Sequence, residues 1–284
     1  MMRARPLLRL LRPQQWLKNG FVLAPLLFSR SFLIADDSLR ALAATAIFCA
    51  AASAGYVVND ILDRESDRRH PLKSLHRPIA SGEISVRTAI AIAAALIALL
   101  LGAACVLSLA FAGAVAAYLV LSIAYSIRLK AIPIVDLFTI AVGFVLRVEG
   151  GAVVIPVALS VWMFVTTLSL ALFLAATKRR QELLSADIGT DFRLVLEHYN
   201  VRLMESYADM AAVATFVFYG LYIVSVRPQL AATLPLVLYG MFRYRYLMEL
   251  SAPDETPTDR LTRDPQILVC VLAWAVMSGY LLAR

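Results

Sequence analysis

The chain has 284 residues, of which 61% are hydrophobic, and its mean hydropathy is +0.75. A soluble domain of this length does not need so much apolar sequence, and several apolar runs are long enough to cross a hydrocarbon core of about 30 Å. The composition therefore excludes a soluble globular protein and predicts an all-α fold, a polytopic bundle of about nine transmembrane helices in one membrane-embedded domain (1–284).

Net charge is +7, and the positions of the basic residues indicate which side of the membrane each loop lies on. The predicted spans are 19–36, 39–58, 86–107, 110–127, 132–152, 159–177, 204–226, 229–248 and 265–283. With these spans, all but five of the 27 lysines and arginines lie on the side of the N-terminus or at its membrane edge. By the positive-inside rule that side is cytoplasmic. We therefore expect a multi-pass protein of a bacterial inner membrane, and no nucleic-acid partner.

The first 18 residues alternate arginines with leucines and contain Trp16. A cleaved signal peptide would have a separate apolar core followed by small residues, and that pattern is missing here. The segment is typical of an amphipathic helix on an anionic lipid surface. We expect residues 1–18 to lie at the membrane interface and to lead into the first span, which Pro25 should kink.

The second span is rich in alanine, which favours close helix packing in lipid, and it ends in the segment 59–67. Asp60, Asp63 and Asp67 are spaced i, i+3 and i+7, so a continuous helix would carry all three carboxylates on one face. One interpretation is a solvated acidic helix end, diluted by neighbouring arginines. The other is a site for one or two Mg²⁺ ions that hold the phosphates of a substrate.

Further polar residues are predicted at the same end of the bundle. The loop after the triad contains Arg77, which could contact phosphate or anchor the loop to lipid. Asp136 lies near the cytoplasmic end of the fifth span, where an ionisable residue normally faces the bundle interior. Arg147 and Glu149 lie deeper or outside, and for them a structural ion pair with a neighbouring helix is an equally good interpretation.

The sixth span ends with Lys178 and Glu182, which are i, i+4 and so share a helix face. A surface salt bridge would explain this spacing, but its expected place opposite the triad suggests the second half of a site. The polar loop at about 183–202 should cover that site or form a short surface helix. Nucleophile triads, Gly-rich phosphate loops and zinc-ligand spacings are missing from the sequence, so catalysis would depend on positioning and electrostatics.

These residues resemble a known family. The string Asn59-Asp60-x-x-Asp63-x-x-x-Asp67, with Arg77-Pro78 and Ser81-Gly82 after it, resembles the first aspartate motif of the UbiA superfamily of intramembrane transferases. Other segments resemble its decaprenyl-phosphate phosphoribosyltransferase branch, namely 12–19, Tyr125-Ser126-x-x-Leu129-Lys130, 143–147 and Lys178-Arg179-x-x-Glu182. A typical prenyltransferase has a second Asp-rich motif after its sixth helix, whereas this chain has one carboxylate and three cations there.

The resemblance implies transfer of a phosphoribosyl group from phosphoribosyl diphosphate (PRPP) to a polyprenyl phosphate such as decaprenyl phosphate, for cell-envelope glycolipid synthesis. It implies that Asp60, Asp63 and Asp67 bind Mg²⁺ and diphosphate, and that Asn59 supports them. Phosphate contacts are implied for Lys18, Arg77, Tyr125, Lys130, Lys178 and Arg179. Glu182 would orient the ribose or a metal-bound water, and Asp136 is a further candidate for substrate binding.

Two other functions are open at this point. One is a UbiA-type prenyltransferase that moves a prenyl group from a prenyl diphosphate to an aromatic acceptor. The other is a non-catalytic transporter or lipid-binding protein, which would instead place coupling carboxylates near the bilayer midplane. A homo-oligomer is possible, but no residue pattern requires one.

Overall fold

The computed structural model of the protein describes residues 4–69, 73–184, 194–250 and 263–284. These residues form helices and connecting turns, with no strand among them. We number the α-helices in chain order. They are α1 (Ala4–Leu11), α2 (Ala24–Phe28), α3 (Ala35–Leu62), α4 (Arg64–Arg69), α5 (Lys73–His76), α6 (Val86–Leu107), α7 (Leu109–Ile127), α8 (Val135–Val154), α9 (Val161–Leu184), α10 (Val201–Val226), α11 (Leu234–Glu249) and α12 (Pro265–Ala283).

Seven of these helices are long and apolar enough to cross a membrane: α3, α6, α7, α8, α9, α10 and α12. They correspond to seven of the nine predicted spans and confirm an all-α, multi-pass membrane fold. The first predicted span differs, because it consists of the 3-10 helix Pro13–Leu23, the short α2 and the 3-10 helix Ser31–Leu33. The eighth corresponds to α11, which has only 16 residues. The count of nine crossings stays a prediction.

Small residues let α3 run through the middle of the bundle. Ala41, Ala44, Ala51 and Ala54 are completely buried, and Gly55 lies where an added Cβ would meet the Ser122 hydroxyl of α7 at 2.5 Å. The predicted burial of this helix is therefore confirmed. Because these contacts hold α3 in the core, its C-terminal end, which carries the aspartates, cannot move outward without breaking them.

A second close approach fixes α8 against the 3-10 helix Pro13–Leu23. A Cβ on Gly151 would collide with the carbonyl oxygen of Val22, and a Cβ on Gly150 would lie 2.5 Å from the ring of Phe48. Phe48 in turn packs edge to face against Phe111, with ring centroids 5.8 Å apart. The two glycines therefore hold the N-terminal part of the chain, α3, α7 and α8 in one core.

The N-terminal helix α1 packs against other parts of the chain. Leu10 is fully buried among Val57, Ile79 and Ile84, and Arg9 donates a hydrogen bond to Glu83 at 2.5 Å. The expected position of residues 1–18 at a membrane interface stays a prediction. The structure adds that this segment also covers the end of α3.

Candidate active site

The acidic segment 59–67 does not form one continuous helix. α3 ends at Leu62, Asp63 adopts φ −89° and ψ 5°, and α4 begins at Arg64. The expectation that all three carboxylates share one helical face is therefore wrong, because the turn at Asp63 interrupts the i, i+3, i+7 register. Asp60 and Asp67 converge on one partner, and Asp63 takes another.

Asp60 and Asp67 are joined through Arg77. Its Nη1 donates to Asp60 Oδ1 at 2.9 Å and also to Asp67 Oδ2. The two aspartates are 2% and 3% exposed, so both charges lie in a poorly solvated position where a cation between them is needed. Arg12 supplies a second cation, with Nη2 at 2.5 Å from Asp60 Oδ1.

Asp63 is turned toward the 3-10 turn Leu129–Ala131 that follows α7. Lys130 donates to Asp63 Oδ1, and Asn59 donates its Nδ2 to Asp63 Oδ2 at 3.0 Å. The amide of Asn59 therefore orients the carboxylate that follows it by four residues, which is the supporting position expected for it. Asp63 is also the most accessible of the three aspartates, with 29% of its side chain exposed.

The donor set suits a hard divalent cation, which prefers carboxylate oxygens. The guanidinium of Arg77 already shows that a positive group is accommodated between two buried carboxylates. In the described part of the chain, no three His, Cys, Asp or Glu side chains stand close enough together to hold a metal ion. A bound cation would therefore require Arg77 or Lys130 to move aside, with Asp60 and Asp67 as the convergent pair.

A second polar cluster lies at the ends of α8 and α9. Arg179 donates Nε to Asp136 Oδ2 at 2.7 Å, Nη1 to Glu182 Oε2 at 2.5 Å and Nη2 to the Tyr125 hydroxyl at 2.8 Å. Tyr199 donates to the other oxygen of Asp136 at 2.6 Å. Both oxygens of the Asp136 carboxylate therefore accept hydrogen bonds, and the side chain is completely buried.

Asp136 and Arg179 were expected to bind substrate, and this role stays a prediction. Their side chains are 0% and 1% exposed and are enclosed by each other and by Tyr125, Tyr199 and Glu182. They hold the accessible members of the cluster in place. Burial, reinforced by the hydrogen bond to Asp136, raises the pKa of the Tyr199 phenol above its ordinary value of 10.0, so this group remains a proton donor at neutral pH.

Three further candidate residues are partly accessible to solvent, namely Glu182, Lys178 and Lys18. The side chain of Glu182 is 25% exposed and lies 3.8 Å from Lys178 Nζ, whose side chain is 42% exposed. Lys18 donates Nζ to Gln15 Oε1 at 2.6 Å within the 3-10 helix. Glu182 and Lys178 belong to the second cluster, whereas Lys18 contacts Gln15 of its own helix.

The end of α7 connects the two clusters. Tyr125 contacts Arg179 in the second cluster, and Lys130, five residues later, pairs with Asp63 in the first. The structure therefore brings the cluster around the three aspartates and the cluster around Arg179 to one end of the bundle. This is the arrangement expected from the sequence for residues on four different helices.

Two residues of this region were not assigned a role from the sequence. Arg12 is held with φ 51° and ψ 60° between α1 and the following 3-10 helix, and its guanidinium lies 5.0 Å from the ring centroid of Tyr56. Its place in the segment 12–19 was the available signal. Tyr199 had none, because a tyrosine after a polar loop has no distinctive spacing.

Deeper in the bundle, Arg147 has neutral partners. It donates to Asn19 Oδ1 at 2.7 Å, to the carbonyl of Gly143 at 2.7 Å and to the Tyr118 hydroxyl at 2.9 Å. No ion pair to Arg147 occurs within the described ranges, so the interpretation as a structural ion pair is wrong for this residue. The Tyr118 ring, 4.5 Å from its guanidinium, supplies a cation–π contact instead.

The polar loop at about 183–202 is only partly described. Its last part forms the 3-10 helix Leu194–His198, where Val195 is fully buried and packs with Leu137 and Met204. Asp187, Asp191 and Arg193 of that loop lie outside the described residues. The expectation that the loop covers the site stays a prediction.

Comparison with known proteins agrees with this architecture. The model of the UbiA prenyltransferase family matches residues 22–261. The decaprenyl-phosphate phosphoribosyltransferase of Corynebacterium glutamicum is 32% identical, over 97% of this chain and 87% of that protein. The protein of the same name from Mycobacterium tuberculosis is 30% identical, over 95% and 91%.

Solved structures give the same fold at lower identity. A UbiA homolog from Archaeoglobus fulgidus bound to GPP and Mg²⁺ superimposes with a TM-score of 0.74, at 21% identity over 98% of this chain and all of that one. At this identity the likeness shows the fold alone. Taken with the match of the family model over most of the sequence, it leads to one identification: the chain belongs to the UbiA prenyltransferase family.

Proposed function

We propose that this protein transfers the phosphoribosyl group of PRPP to the phosphate of a polyprenyl phosphate, with decaprenyl phosphate as the reference acceptor. A phosphate oxygen of the acceptor forms a bond to C1 of the ribose while the bond from C1 to the diphosphate breaks, and diphosphate leaves. Relatives named for this activity, 30–35% identical over most of the chain, support the proposal.

One structural observation carries the proposal: Tyr125, near the end of α7, and Lys130, just after it, join two separate polar half-sites, one around the three aspartates and one around Lys178 and Glu182. PRPP carries a diphosphate at one end and a monophosphate at the other. Asp60, Asp63 and Asp67 suit a metal-bound diphosphate, and a half-site with Lys178 and a single accessible carboxylate suits an additional phosphate. A prenyl diphosphate has no additional phosphate that Lys178 could bind.

In the first half-site, Asp60, Asp63 and Asp67 would hold Mg²⁺. When bound, this ion would neutralise charge that develops on the departing diphosphate. Arg77, Arg12 and Lys130 donate hydrogen bonds to these carboxylates in the structure, and the same donors can turn to phosphate oxygens when substrate is present. Asn59 keeps Asp63 in orientation.

In the second half-site, Lys178 and Tyr125 are the proposed contacts for phosphate, and Glu182 is the proposed partner of the ribose hydroxyls. Lys18 is a further proposed phosphate contact, from the N-terminal segment. Arg179 and Asp136 are positioning residues, since neither reaches the surface. Arg179 fixes both Glu182 and Tyr125 through hydrogen bonds of 2.5 and 2.8 Å. Such fixed dipoles stabilise developing charge because they need not reorganise during the reaction.

The acceptor requires no strong general base, because its phosphate is ionised and nucleophilic at neutral pH. The acceptor reaches the site from the bilayer, and the water-soluble donor reaches it from the aqueous side. We infer from the positive-inside rule that this aqueous side is the cytoplasm of a bacterial cell. An oligomer is compatible with this scheme but is not needed for it.

A transfer assay in detergent tests the proposal. Purified protein receives labelled PRPP and decaprenyl phosphate, with and without Mg²⁺. We expect label to enter the lipid phase only with Mg²⁺ and to be lost in Asp60→Ala. No transfer of label, together with consumption of a prenyl diphosphate when an aromatic acceptor is offered, would favour the prenyltransferase alternative.

A further inference from the structure

An apolar groove of about 540 Å³ runs along the membrane-facing side of α3, a volume within the range of small-molecule sites. Small side chains such as Ala46 and Ala50 form its floor, and Leu96 of α6 forms one wall. The complete lining is Leu11, Trp16, Leu42, Thr45, Ala46, Cys49, Ala50, Ser53 and Leu96. None of these residues is charged, so the groove suits a hydrocarbon.

The groove lies on the same face of α3 as the first aspartate of the site. Leu42 and Asp60 are 18 residues apart, which is five turns at 3.6 residues per turn. Ser53, the last groove residue on α3, precedes Asp60 by seven residues, or about 10 Å along the helix axis. The groove therefore points along α3 toward Asp60.

The N-terminal segment closes the groove at the end nearest the site. Trp16 donates Nε1 to the Ser53 hydroxyl at 3.0 Å, and Ser53 donates to the carbonyl of Leu11 at 2.8 Å. The next residue is Arg12, which pairs with Asp60. The uncharged groove thus ends one residue away from a guanidinium, and Arg77 contacts the same oxygen of Asp60 as Arg12 does.

An apolar groove that ends beside charged residues suits an amphiphile with a long apolar chain and a terminal phosphate. We infer that the groove along α3 binds the polyprenyl chain of the acceptor, with Leu11 and Trp16 directing its phosphate toward Arg12 and Asp60. This inference rests on the proposed function, because it names where the acceptor of that reaction lies. Ordinary bilayer phospholipid is the competing occupant, and the experiments below separate the two.

The first experiment fills the groove. Ala46→Trp adds a large side chain at the floor, and Ala98→Trp is the matched control, since Ala98 is an exposed alanine on α6 that does not line the groove. We expect Ala46→Trp to raise the KM for decaprenyl phosphate by about tenfold or more, as loss of a fitted hydrocarbon contact does in other pockets. The KM for PRPP should stay unchanged, and the control should resemble the wild type.

The outcomes of this experiment are separable. If the wild type transfers phosphoribose and both tryptophan variants show wild-type KM values, the groove inference is overturned while the proposed function stands. If the wild type transfers nothing, the proposed function fails. Equal increases in the KM for both substrates would point to a general disturbance of the fold and would also count against the groove.

A second experiment does not depend on catalysis. Cys49 lines the groove, where its sulfur lies 3.3 Å from Asn19 Nδ2, whereas Cys105 is exposed near the far end of α6. The rate of alkylation of each cysteine by N-ethylmaleimide is followed by peptide mass spectrometry, in detergent. Decaprenyl phosphate should slow alkylation of Cys49 several-fold and leave Cys105 unchanged. Equal protection of Cys49 by phosphatidylglycerol at the same concentration, or no protection by either lipid, would overturn the inference.

Discussion

Arg179 and Asp136 form an ion pair in which Nε and Oδ2 are 2.7 Å apart and both side chains are almost inaccessible to solvent. The pair links α9 to α8, and through Tyr125 it also reaches the end of α7. Removing Arg179 would leave the Asp136 carboxylate without a counter-charge in a medium of low polarity, and removing Asp136 would leave Arg179 with only the partly exposed Glu182. The same pair therefore serves both the fold and the geometry of the site.

The first prediction concerns this pair. Asp136→Ala should destabilise the protein by about 3–5 kcal/mol, as measured by unfolding in detergent, because the buried Arg179 then keeps only the partly exposed Glu182 as its counter-charge. The double variant Asp136→Leu with Arg179→Met should recover most of that stability, since an apolar pair needs no compensation. Transferase activity should stay low in the double variant, because Glu182 and Tyr125 lose their common partner. Wild-type stability in Asp136→Ala would contradict this account.

The second prediction concerns Asn59, whose amide orients Asp63 at 3.0 Å. Asn59→Ala should raise the Mg²⁺ concentration needed for half-maximal activity by about 10–100-fold, the usual effect of losing a residue that orients a metal ligand. Activity at saturating Mg²⁺ should largely return. Gln266→Ala is the control, since this amide lies on the surface near Tyr239. An unchanged Mg²⁺ dependence would argue against a metal at Asp63.

The third prediction separates the two half-sites. Lys178→Met should raise the KM for PRPP by about 10–100-fold, the equivalent of one lost charge-assisted hydrogen bond. The KM for decaprenyl phosphate should change little, because the groove proposed for the acceptor lies along α3. Arg245→Met is the control, since Arg245 pairs with the exposed Asp209. If the KM for the acceptor rises as much as that for PRPP, the assignment of Lys178 to the donor is wrong.

The fourth prediction concerns packing at Gly151. A Cβ there meets the backbone carbonyl of Val22, which cannot turn away as a side chain could. Gly151→Ala should therefore destabilise the protein by about 1–3 kcal/mol or more, as overpacking of a core does. Gly102→Ala is the matched control, because nothing lies within 4 Å of its added Cβ and alanine favours the helix. Equal thermal stability of the two variants would refute the close contact.

The fifth prediction is a pH dependence. The hydrogen bond from Arg243 lowers the pKa of the Asp264 carboxyl below its ordinary value of 3.8, and Asp264 also caps α12 by accepting from the Ile267 amide at 2.8 Å. A carboxyl with a lowered pKa stabilises the folded state above its unfolded pKa, and this contribution is lost as the pH falls. The difference in melting temperature between wild type and Asp264→Asn should therefore be full at neutral pH and shrink below about pH 4. A difference that stays constant with pH would exclude this linkage.

Several features of the protein follow from the sequence alone. Runs of apolar residues as long as those of α6 and α7 are stable only across a membrane, so the fold class needs no tertiary information. The burial of α3 also follows from its composition, since a helix of alanine and glycine in lipid gains most from close contact with other helices. The string from Asn59 to Asp67 is specific enough to indicate the family.

Other features were decided by the tertiary structure. Local spacing places Asp60, Asp63 and Asp67 on one helical face, but the turn at Asp63 directs its carboxylate to Lys130, a residue 67 positions away in the chain. Periodicity cannot show such a turn, because partners on other helices stabilise it. For the same reason Arg12 was missed: its role depends on how the N-terminal segment folds back over the end of α3.

The clearest division is between residue type and residue role. The sequence alone determined that Asp136 lies in an apolar run, where it needs a partner, and that Arg179 lies at the end of the sixth span. Only the packing of α8 against α9 decided that each is the partner of the other, so that their charges compensate each other inside the bundle. The sequence sets which charged residues are present, whereas the packing of the helices decides which of them are accessible to solvent.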